Sequence, residues 1–264
     1  MENLLNKIHF ADCLDVLRQI PDGSVDLLLQ DMPYGVTQNK WDILPELNTL
    51  WAEWLRVGKK DAAFVFTGQQ PFSAELILSQ KRFFKYELIW EKSITTGFLN
   101  AEKQPLRAHE NVLIFYAKQP TYNPQKTKAE KPYYRKTHQN GRAQNQTNYG
   151  NFNHQNSKNK DPFAYPKSVF KVKSDAEFFD SSTSGKRLHP TQKPTDLFRY
   201  LIRTYSNPGD VVFDGYGGSG TTAIAAQMEG RKFIVCENHL PYFEASQARL
   251  ANLVAAPDLF SNCG

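Results

Sequence analysis

A glycine-rich turn joins an apolar run to a helical pattern near the end of the sequence. The run, residues 211–214, closes on Asp214, and four glycines occur among residues 215–220, before the helical pattern of 221–229. Glycine has no Cβ, so the backbone can turn tightly there and approach a ligand closely. A second apolar run ends at Glu237, whose carboxylate can accept hydrogen bonds from the hydroxyls of a ribose. This order predicts a nucleoside site at the carboxyl ends of parallel strands.

Apolar runs of strand length alternate with helical patterns along most of the chain. Strands are predicted over 8–10, 25–30, 62–67, 86–90, 111–116, 211–213 and 233–236, and ordered structure is expected to return over 168–172. Helices are predicted over 12–20, 47–57, 72–79, 195–204, 221–229 and 242–250. Strands that alternate with helices favour a mainly parallel sheet with helices on both faces. The sequence therefore predicts an α/β, doubly wound fold.

Residues 119–165 differ in composition from the rest of the chain. They are rich in Asn, Gln, Lys, Tyr and Pro and contain almost no aliphatic residues, so they cannot build a large core. The wider segment 118–173 carries twelve Lys and Arg against two acidic residues, whereas the whole chain has a net charge of +5. A basic insert indicates a polyanionic partner, and a solvated polar loop is the alternative. We predict a first half over 1–118, an insert over 119–173 and a second half over 174–264.

Cysteine usage and the apolar pattern indicate the compartment. Cys13, Cys236 and Cys263 have a spacing that suits neither a zinc site nor a disulfide framework. A reduced, cytosolic environment is therefore predicted. Residues 1–10 lack the basic and then apolar pattern of a signal peptide, and no stretch approaches 18 apolar residues, so we expect no membrane span.

Two ligand classes fit the glycine turn. Gly215, Gly217 and Gly220 have the spacing of the dinucleotide fingerprint, so an NAD-dependent oxidoreductase is one alternative. Only 44 residues follow Gly220, which is too few for the rest of a dinucleotide domain. Asp214, directly before the glycines, would also repel a pyrophosphate. The same carboxylate suits a ligand that carries an ammonium and a sulfonium, such as S-adenosylmethionine.

The loop Asp31-Met32-Pro33-Tyr34 follows the apolar run 25–30. An exocyclic amino nitrogen of a base is a poor nucleophile because its lone pair is delocalised into the ring. Two acceptors, the Asp31 carboxylate and the Met32 carbonyl, can draw the nitrogen towards a nucleophilic form and stabilise the developing charge. Tyr34 can stack on the base, and its ring favours the cationic amine. A sulfonium methyl group is already activated, so this chemistry needs no metal. An ordinary turn after a strand is the alternative.

The two motifs together resemble those of the DNA amino-methyltransferases. That family carries an Asp/Ser/Asn-Pro-Pro-Tyr catalytic loop and a Phe-x-Gly-x-Gly donor loop, and Tyr-Gly-Gly-Ser-Gly at 216–220 stands where the second would be. The order of catalytic loop, recognition insert and donor loop resembles the beta arrangement, as does His-Pro-Thr-Gln-Lys-Pro at 189–194. The resemblance covers most of the chain outside 119–165. It implies a Rossmann-like, S-adenosylmethionine-dependent methyltransferase sheet with a polar, basic target-recognition insert.

Three positions depart from the family pattern. Met32 replaces the usual first proline, Gly215 replaces a common proline, and Tyr216 replaces a common phenylalanine. The acceptor at position 32 is a backbone carbonyl, so its role is retained. The loss of the proline bears instead on the rigidity of the loop.

The resemblance also implies a donor site. Asp12 would contact the adenine amino group of the donor, Glu237 its ribose, and Asp214 its methionine end. Lys193 would contact the donor carboxylate, and the N-terminus of the helix that begins at 221–222 would face the ligand. The full predicted donor-binding set is Asp12, Cys13, Asp31, Lys193, Asp214, Gly215, Tyr216, Gly218, Gly220, Thr221, Thr222, Glu237 and Asn238.

The insert is the predicted DNA reader. A base stacked in a duplex cannot reach Asp31, so the enzyme would have to flip it out, at a cost of roughly a few kcal/mol. Asn and Gln residues between 139 and 156 carry the donor and acceptor pairs that read adenine edges. The residues predicted to contact phosphates are Lys126, Lys128, Lys131, Arg135, Lys136 and Arg142.

These observations predict a site-specific methyltransferase that acts on N6 of adenine in double-stranded DNA. Asp rather than Ser at position 31 favours adenine in this family. An N4-cytosine methyltransferase with the same fold is the first alternative. The others are the NAD-dependent oxidoreductase and a DNA-binding protein that has lost catalysis. The resemblance further suggests the cytoplasm of a bacterium or of a phage host, a homodimer, and a cognate restriction endonuclease.

Overall fold

The computed structural model describes residues 1–35, 46–128, 162–173 and 192–255. The chain divides into two compact units. The larger unit comprises Met1–Asn123 and Lys167–Gly264, and the smaller comprises Pro124–Pro166. Among the described residues, no helix has both the length and the apolar character needed to cross a membrane.

Ten strands and six α-helices make up the described parts of the chain. The strands are β1 (Lys7–Phe10), β2 (Val25–Gln30), β3 (Gly58–Gly68), β4 (Phe84–Thr96), β5 (Arg107–Phe115), β6 (Thr127–Lys128), β7 (Phe163–Ala164), β8 (Val169–Val172), β9 (Val211–Asp214) and β10 (Lys232–Glu237). The helices are α1 (Cys13–Leu17), α2 (Leu47–Val57), α3 (Phe72–Ser79), α4 (Thr195–Tyr205), α5 (Thr221–Met228) and α6 (Leu240–Ala255), and a 3₁₀ turn covers Phe98–Asn100.

Eight of the strands form one mixed sheet in the order β1-β10-β9-β2-β3-β5-β4-β8. All neighbours are parallel except the pairs of β5 with β3 and with β4, which are antiparallel. The strand β2, from the first half of the chain, pairs directly with β9, from the second half. Ligands of open α/β sheets bind where the order of strands changes in this way, outside their carboxyl ends.

The predicted doubly wound α/β fold is confirmed, because both faces of the sheet are covered. Leu28 on β2 faces a cluster that includes Trp51 and Trp54 of α2. Its neighbours Leu27 and Leu29 face the opposite cluster, which contains residues of α4 and α5. Successive residues of a strand point to opposite faces, so a strand buried on both sides is apolar throughout. This accounts for the continuous apolar run of β2.

Several elements differ in length from the prediction. The strands β3 and β5 begin at Gly58 and Arg107, before the expected 62 and 111, and α6 covers Leu240–Ala255 rather than 242–250. The helix expected over 12–20 ends at Leu17. After it, the N–H groups of Gln19 and Ile20 donate to the carbonyls of Val16 and Leu17, three residues earlier in each case. The strand expected over 86–90 covers Phe84–Thr96, because it pairs with two neighbours, β5 and β8.

The small unit contains one two-stranded ladder among its described residues. Thr127 pairs with Ala164 and Lys128 with Phe163. The ammonium of Lys126 lies 4.4 Å from the ring centroid of Tyr165. The predicted insert, 119–173, also included β8, which belongs to the sheet of the large unit.

Candidate active site

Three strand ends bring the predicted catalytic and donor residues to one edge of the sheet. The central strand β2 leads into Asp31, β9 ends at Asp214, and β10 ends at Glu237. Gln30, which is fully buried, joins the first two ends. Its amide donates to the carbonyl of Phe213 over 2.8 Å and accepts from the N–H of Gly215 over 2.9 Å. Gln30 belongs to neither predicted motif, although a polar residue that ends a buried apolar strand is a recognisable signal.

Asp31 is held by two hydroxyl groups. The Thr67 hydroxyl at the end of β3 and the Tyr34 hydroxyl both donate to its Oδ1, over 2.5 and 2.9 Å. The hydroxyl oxygens of Tyr34 and Thr67 are themselves 2.9 Å apart. Burial, followed by the charge of Asp31, raises the pKa of Tyr34 well above its usual range, so this phenol stays neutral and can donate.

A chain of alternating charges also reaches Asp31. The Lys193 ammonium lies 2.8 Å from Oδ1 and 3.1 Å from Oδ2 of Asp31, and 3.3 Å from Oε2 of Glu110. Lys92 in turn lies 2.8 Å from Oε1 of Glu110. The four side chains are largely buried, so water screens these charges little.

The neighbouring charges set the protonation states of Glu110 and Lys193. Burial raises the pKa of Glu110, but the ammonium groups of Lys193 and Lys92 outweigh it and lower that pKa. Burial lowers the pKa of Lys193, but the charges of Asp31 and Glu110 outweigh it and raise that pKa well above its usual range. The predicted contact of Lys193 with the donor carboxylate stays a prediction, since the partners of this ammonium here are two carboxylates of the protein.

The remaining loop residues are partly enclosed. Met32 is buried, with its side chain in the core cluster below α1 and α2. The ring of Tyr34 stacks on Phe72, with centroids 5.3 Å apart and 19° between the planes. The Lys193 ammonium is 5.2 Å from the same ring. Stacking of Tyr34 on a target base remains a prediction, as do the roles of Met32 and Pro33.

The glycine loop is folded around Asp214. This carboxylate is 1 % exposed and accepts from the N–H of Tyr216 over 2.9 Å and from the hydroxyl of Thr222. Burial raises its pKa to about 7. The N–H of Gly217 donates to the carbonyl of Cys236 over 2.7 Å, so the loop lies against β10. Any Cβ at position 217 would overlap Val235, which accounts for the glycine there.

Glu237 ties the same loop to the end of β10. Its Oε2 accepts from the N–H of Gly218 and its Oε1 from the N–H of His239, each over 2.7 Å. Burial raises its pKa. Each carboxylate oxygen can accept a second hydrogen bond, so both oxygens can still accept from a ribose.

The other predicted donor residues surround this loop. Asp12 caps α1 by accepting from the N–H of Leu14 over 2.9 Å, and its neighbour Cys13 is buried against Gly215. Asn238 is exposed next to Glu237. At Gly220 the φ angle is 80°, and α5 begins at the next residue. The buried Thr221 and Thr222 form its first turn, as predicted from the sequence.

A donor with a cationic end and a ribose fits these residues. A buried carboxylate, Asp214, and a second one, Glu237, flank a loop in which the glycines at 215, 217 and 220 leave no room for side chains. Such a cradle has acceptors for an ammonium and for two hydroxyls. A pyrophosphate would instead meet two carboxylates of its own sign.

The predicted DNA contacts are described only in part. Lys126 and Lys128 lie in the small unit and are exposed. Outside the described residues are Lys131, Arg135, Lys136, Arg142 and the Asn- and Gln-rich stretch 139–156. The assignment of these residues to DNA stays a prediction.

The contact between α1 and the glycine loop gives a testable prediction. In Gly215→Ala the new Cβ would overlap the sulfur of Cys13 and lie 3.2 Å from Oε1 of Gln30. We expect a loss of about 1–3 kcal/mol in the free energy of unfolding. Adding Cys13→Ala removes the sulfur, so the double variant should be more stable than the sum of the single changes predicts. Urea unfolding of the four proteins measures this, and strictly additive effects would contradict it.

Comparison with known proteins agrees with this geometry. Residues 25–248 match a family model described as DNA methylase, the N6/N4 methylases. The Type II methyltransferase M1.MboII of Moraxella bovis is 27 % identical over 258 residues, covering 90 % of this chain and 94 % of the relative. The DNA adenine methyltransferase YhdJ of Escherichia coli strain K12 is 29 % identical over 270 residues, covering 94 % and 83 %.

Solved structures share the fold. The M1.HpyAVI–SAM complex has a TM-score of 0.59 at 20 % identity, covering 92 % of this chain and 99 % of that one. The cytosine-N4-specific PvuII DNA methyltransferase has a TM-score of 0.65 at 16 % identity, covering 95 % and 91 %. The family match extends over most of the chain and includes both the Asp31 loop and the glycine loop. The chain therefore belongs to the N6/N4 DNA methylases, enzymes that use S-adenosylmethionine as the methyl donor.

Proposed function

We propose that this methyltransferase acts on N6 of adenine in duplex DNA, after the base has been flipped out of the stack. The observation that carries the proposal is the Asp31 carboxylate, held at the end of β2 beside the glycine loop. The name of the relative YhdJ, a DNA adenine methyltransferase, supports adenine as the base. Because the chain belongs to this family, the alternative of an NAD-dependent oxidoreductase is excluded.

The hydrogen bonds of Asp31 leave room for a substrate. Its Oδ1 accepts hydrogen bonds from Thr67 and Tyr34 and lies 2.8 Å from the Lys193 ammonium. Among the described residues, Oδ2 accepts one hydrogen bond, over 3.1 Å from Lys193. One N–H of an exocyclic amine can therefore donate to Oδ2, and the other can donate to the carbonyl of Met32. Two acceptors in fixed positions localise the nitrogen lone pair and stabilise the positive charge that develops there. The bound donor supplies an already activated methyl group.

We assign the donor contacts as the family resemblance implies. Asp214 holds the methionine end, Glu237 the ribose, and Asp12 the adenine amino group. Their strand ends and the glycine loop form one edge of the sheet. Lys193 stays a candidate for the donor carboxylate, in addition to its contacts with Asp31 and Glu110.

The raised pKa of Asp214 gives a pH dependence. With a pKa of about 7, this carboxyl is largely protonated below neutral pH and ionises as the pH rises through 7. Only the ionised form attracts a cationic ligand, so donor affinity should increase between about pH 6 and pH 7.5. In Asp214→Asn, donor binding should be weaker and nearly independent of pH over that range. Calorimetric titration measures this, and the same pH dependence in both proteins would contradict the assignment.

The raised pKa of Asp214 also affects the stability of the protein. Whereas donor affinity should rise with pH, the contribution of Asp214 to stability should fall. The folded protein retains a proton on Asp214 that the unfolded chain releases near pH 4. Its contribution to stability is therefore largest in acid and is lost as the pH rises through about 7. Asp214→Asn should consequently melt at a higher temperature than the wild-type protein at pH 8, in the absence of donor. No such difference is expected at pH 4.

One experiment tests the reaction and the base together. Unmethylated DNA is incubated with the protein and labelled S-adenosylmethionine and is then digested to nucleosides. Labelled N6-methyladenine supports the proposal. Labelled N4-methylcytosine would keep the mechanism and overturn the choice of base. No labelled nucleoside, with donor binding intact, would favour a protein that has lost catalysis.

N4-cytosine is the alternative target. The PvuII enzyme, named as cytosine-N4-specific, has a TM-score of 0.65 with this chain, and the two proposed acceptors suit either amino group. Asp31 accepts hydrogen bonds and forms a buried ion pair with Lys193, which argues against a protein that has lost catalysis.

The biological setting is also a proposal. The Type II methyltransferase M1.MboII supports a role in restriction and modification, with a cognate endonuclease, in the cytoplasm of a bacterium or of a phage host. Lys126 and Lys128, both exposed in the small unit, are proposed phosphate contacts. A homodimer stays a prediction from the sequence.

A further inference from the structure

A long exposed tip joins β4 to β5. We define the hairpin tip as residues 94–107, all of which are exposed. Two of its apolar side chains project furthest, with Phe98 77 % and Leu99 83 % exposed. Ile94 and Leu106 are 41 % and 42 % exposed in the same tip. Four apolar side chains that find no core in one short segment indicate a surface that binds something.

The hairpin tip stands at the edge of the sheet that carries the candidate active site. Antiparallel pairing sets Gly68, the last residue of β3, opposite Asn111 of β5. Arg107 precedes Asn111 by four residues, so the strand extends about 13 Å past the end of β3. Thr67, which donates to Asp31, lies at that end. The hairpin tip therefore projects next to the catalytic carboxylate.

Contacts at the base of the hairpin fix this position. The guanidinium of Arg107 donates to the side chain of Gln69, which follows β3 directly. Further down, Lys92 of β4 pairs with Glu110 of β5, and Glu110 contacts Lys193 beside Asp31. The base of the hairpin thus shares buried side chains with the site, whereas its apolar end remains in solvent.

We propose that Phe98 and Leu99 form a wedge that enters the DNA stack beside the flipped base. The inference rests on the base flipping in the proposed function. A base that leaves the duplex opens a gap, and apolar side chains inserted between base steps fill such gaps and offset part of the cost of unstacking.

Charge and position favour DNA as the occupant. The hairpin tip carries two basic side chains, Lys103 and Arg107, and one acidic side chain, Glu102. The basic groups suit the phosphates on either side of an inserted wedge. The DNA must also approach this edge of the sheet for a base to reach Asp31, which brings the duplex to the hairpin tip.

The test follows base flipping directly. Once the recognition site has been mapped, a duplex is made with a fluorescent analogue at the target position, 2-aminopurine for adenine. Binding of the wild-type protein should raise its fluorescence as the base leaves the stack. The double variant Phe98→Ala/Leu99→Ala should lose most of this rise. It should also methylate a paired duplex at least about tenfold more slowly, because the gap is unfilled.

A mispaired target separates flipping from chemistry. When the target base is mispaired it leaves the stack easily, so the double variant should methylate it nearly as fast as the wild-type protein does. Leu78→Ala/Val254→Ala is the matched control, because these side chains are 73 % and 63 % exposed on α3 and α6. This control should behave as the wild-type protein in both assays.

Three results would overturn the inference. Equal fluorescence and equal rates in the wild-type protein and the wedge variant would remove the wedge and leave the proposed function intact. No rise with the wild-type protein, on DNA that it methylates, would remove base flipping and the wedge together. The third result is a wild-type protein that is a dimer and a wedge variant that is a monomer in gel filtration, with methylation of the mispaired target still slow in the variant. The hairpin tip would then bind a second copy of the chain rather than DNA.

Discussion

Replacing Asp31 with asparagine is expected to reduce methyl transfer about a hundredfold to a thousandfold, while donor binding stays within a few-fold of the wild-type value. Asparagine keeps the shape of the side chain and one acceptor oxygen. It removes the negative charge that faces the amine as positive charge develops there. The loss should appear in the rate of the chemical step, because the interaction is made mainly in the transition state.

The measurement combines single-turnover methyl transfer with calorimetric donor binding. Asp15→Asn is a suitable control, because Asp15 is an exposed carboxylate on α1 that pairs with Arg18 at the surface. Turnover of Asp31→Asn close to that of the control would show that Asp31 is not the acceptor. Loss of donor binding in the same variant would mean that Asp31 belongs to the donor site instead.

Replacing Lys193 with methionine is expected to cost about 3–5 kcal/mol in the free energy of unfolding. The ammonium lies between Asp31 and Glu110, at 2.8 and 3.3 Å, and is 7 % exposed. Without it, two largely buried carboxylates lose the cation that they share, and of the described residues Lys92 alone still balances Glu110. Methyl transfer should fall as well, because the position of Asp31 depends on this contact. Lys193→Arg keeps the charge and should retain more of both properties.

The effect of Lys193→Met should depend on pH. In the folded protein the pKa of Glu110 is lowered, so its contribution to stability is present above the pKa of the unfolded chain and is lost as the pH falls through the lower pKa of the folded state. The difference in stability between the wild-type protein and Lys193→Met should therefore narrow in acid. Urea unfolding at neutral pH and near pH 4 measures this, and a difference that stays constant would remove the electrostatic explanation.

A double-mutant cycle separates the ion pair from the packing of the lysine side chain. Asp31→Asn/Lys193→Met removes both charges of one pair. If the pair is the main interaction, the double variant should be less destabilised than the sum of the two single variants. Additive effects would mean that Lys193 stabilises the fold through its contact with Glu110 or through the packing of its own side chain.

Local patterns in the sequence predict much of this fold. The run from Val25 to Gln30 is apolar throughout because both faces of β2 are buried. The glycine loop has to lie against β10, and its sequence shows this because any larger side chain at Gly217 would overlap Val235. In both cases the constraint acts within one segment, so the residues themselves reveal it.

The charge network could not be predicted in the same way. Glu110 lies on β5 and Lys92 on β4, and neither stands next to a motif residue in the sequence. They reach the site because β5 runs antiparallel between β3 and β4, and no local pattern gives that direction. Thr67 is likewise an ordinary strand residue until β3 pairs with β2. Lys193 was identified by its motif, but its protein partners depend on the same long-range pairing.

The bridge made by Gln30 has a mechanical consequence. One amide group holds both the carbonyl of Phe213 and the N–H of Gly215, and the next residue along its strand is Asp31. A displacement of the glycine loop therefore pulls on the strand that carries the carboxylate. The proposed sites for the donor and for the target base are thus joined through the side chain of Gln30, and we expect a shift of one to move the other.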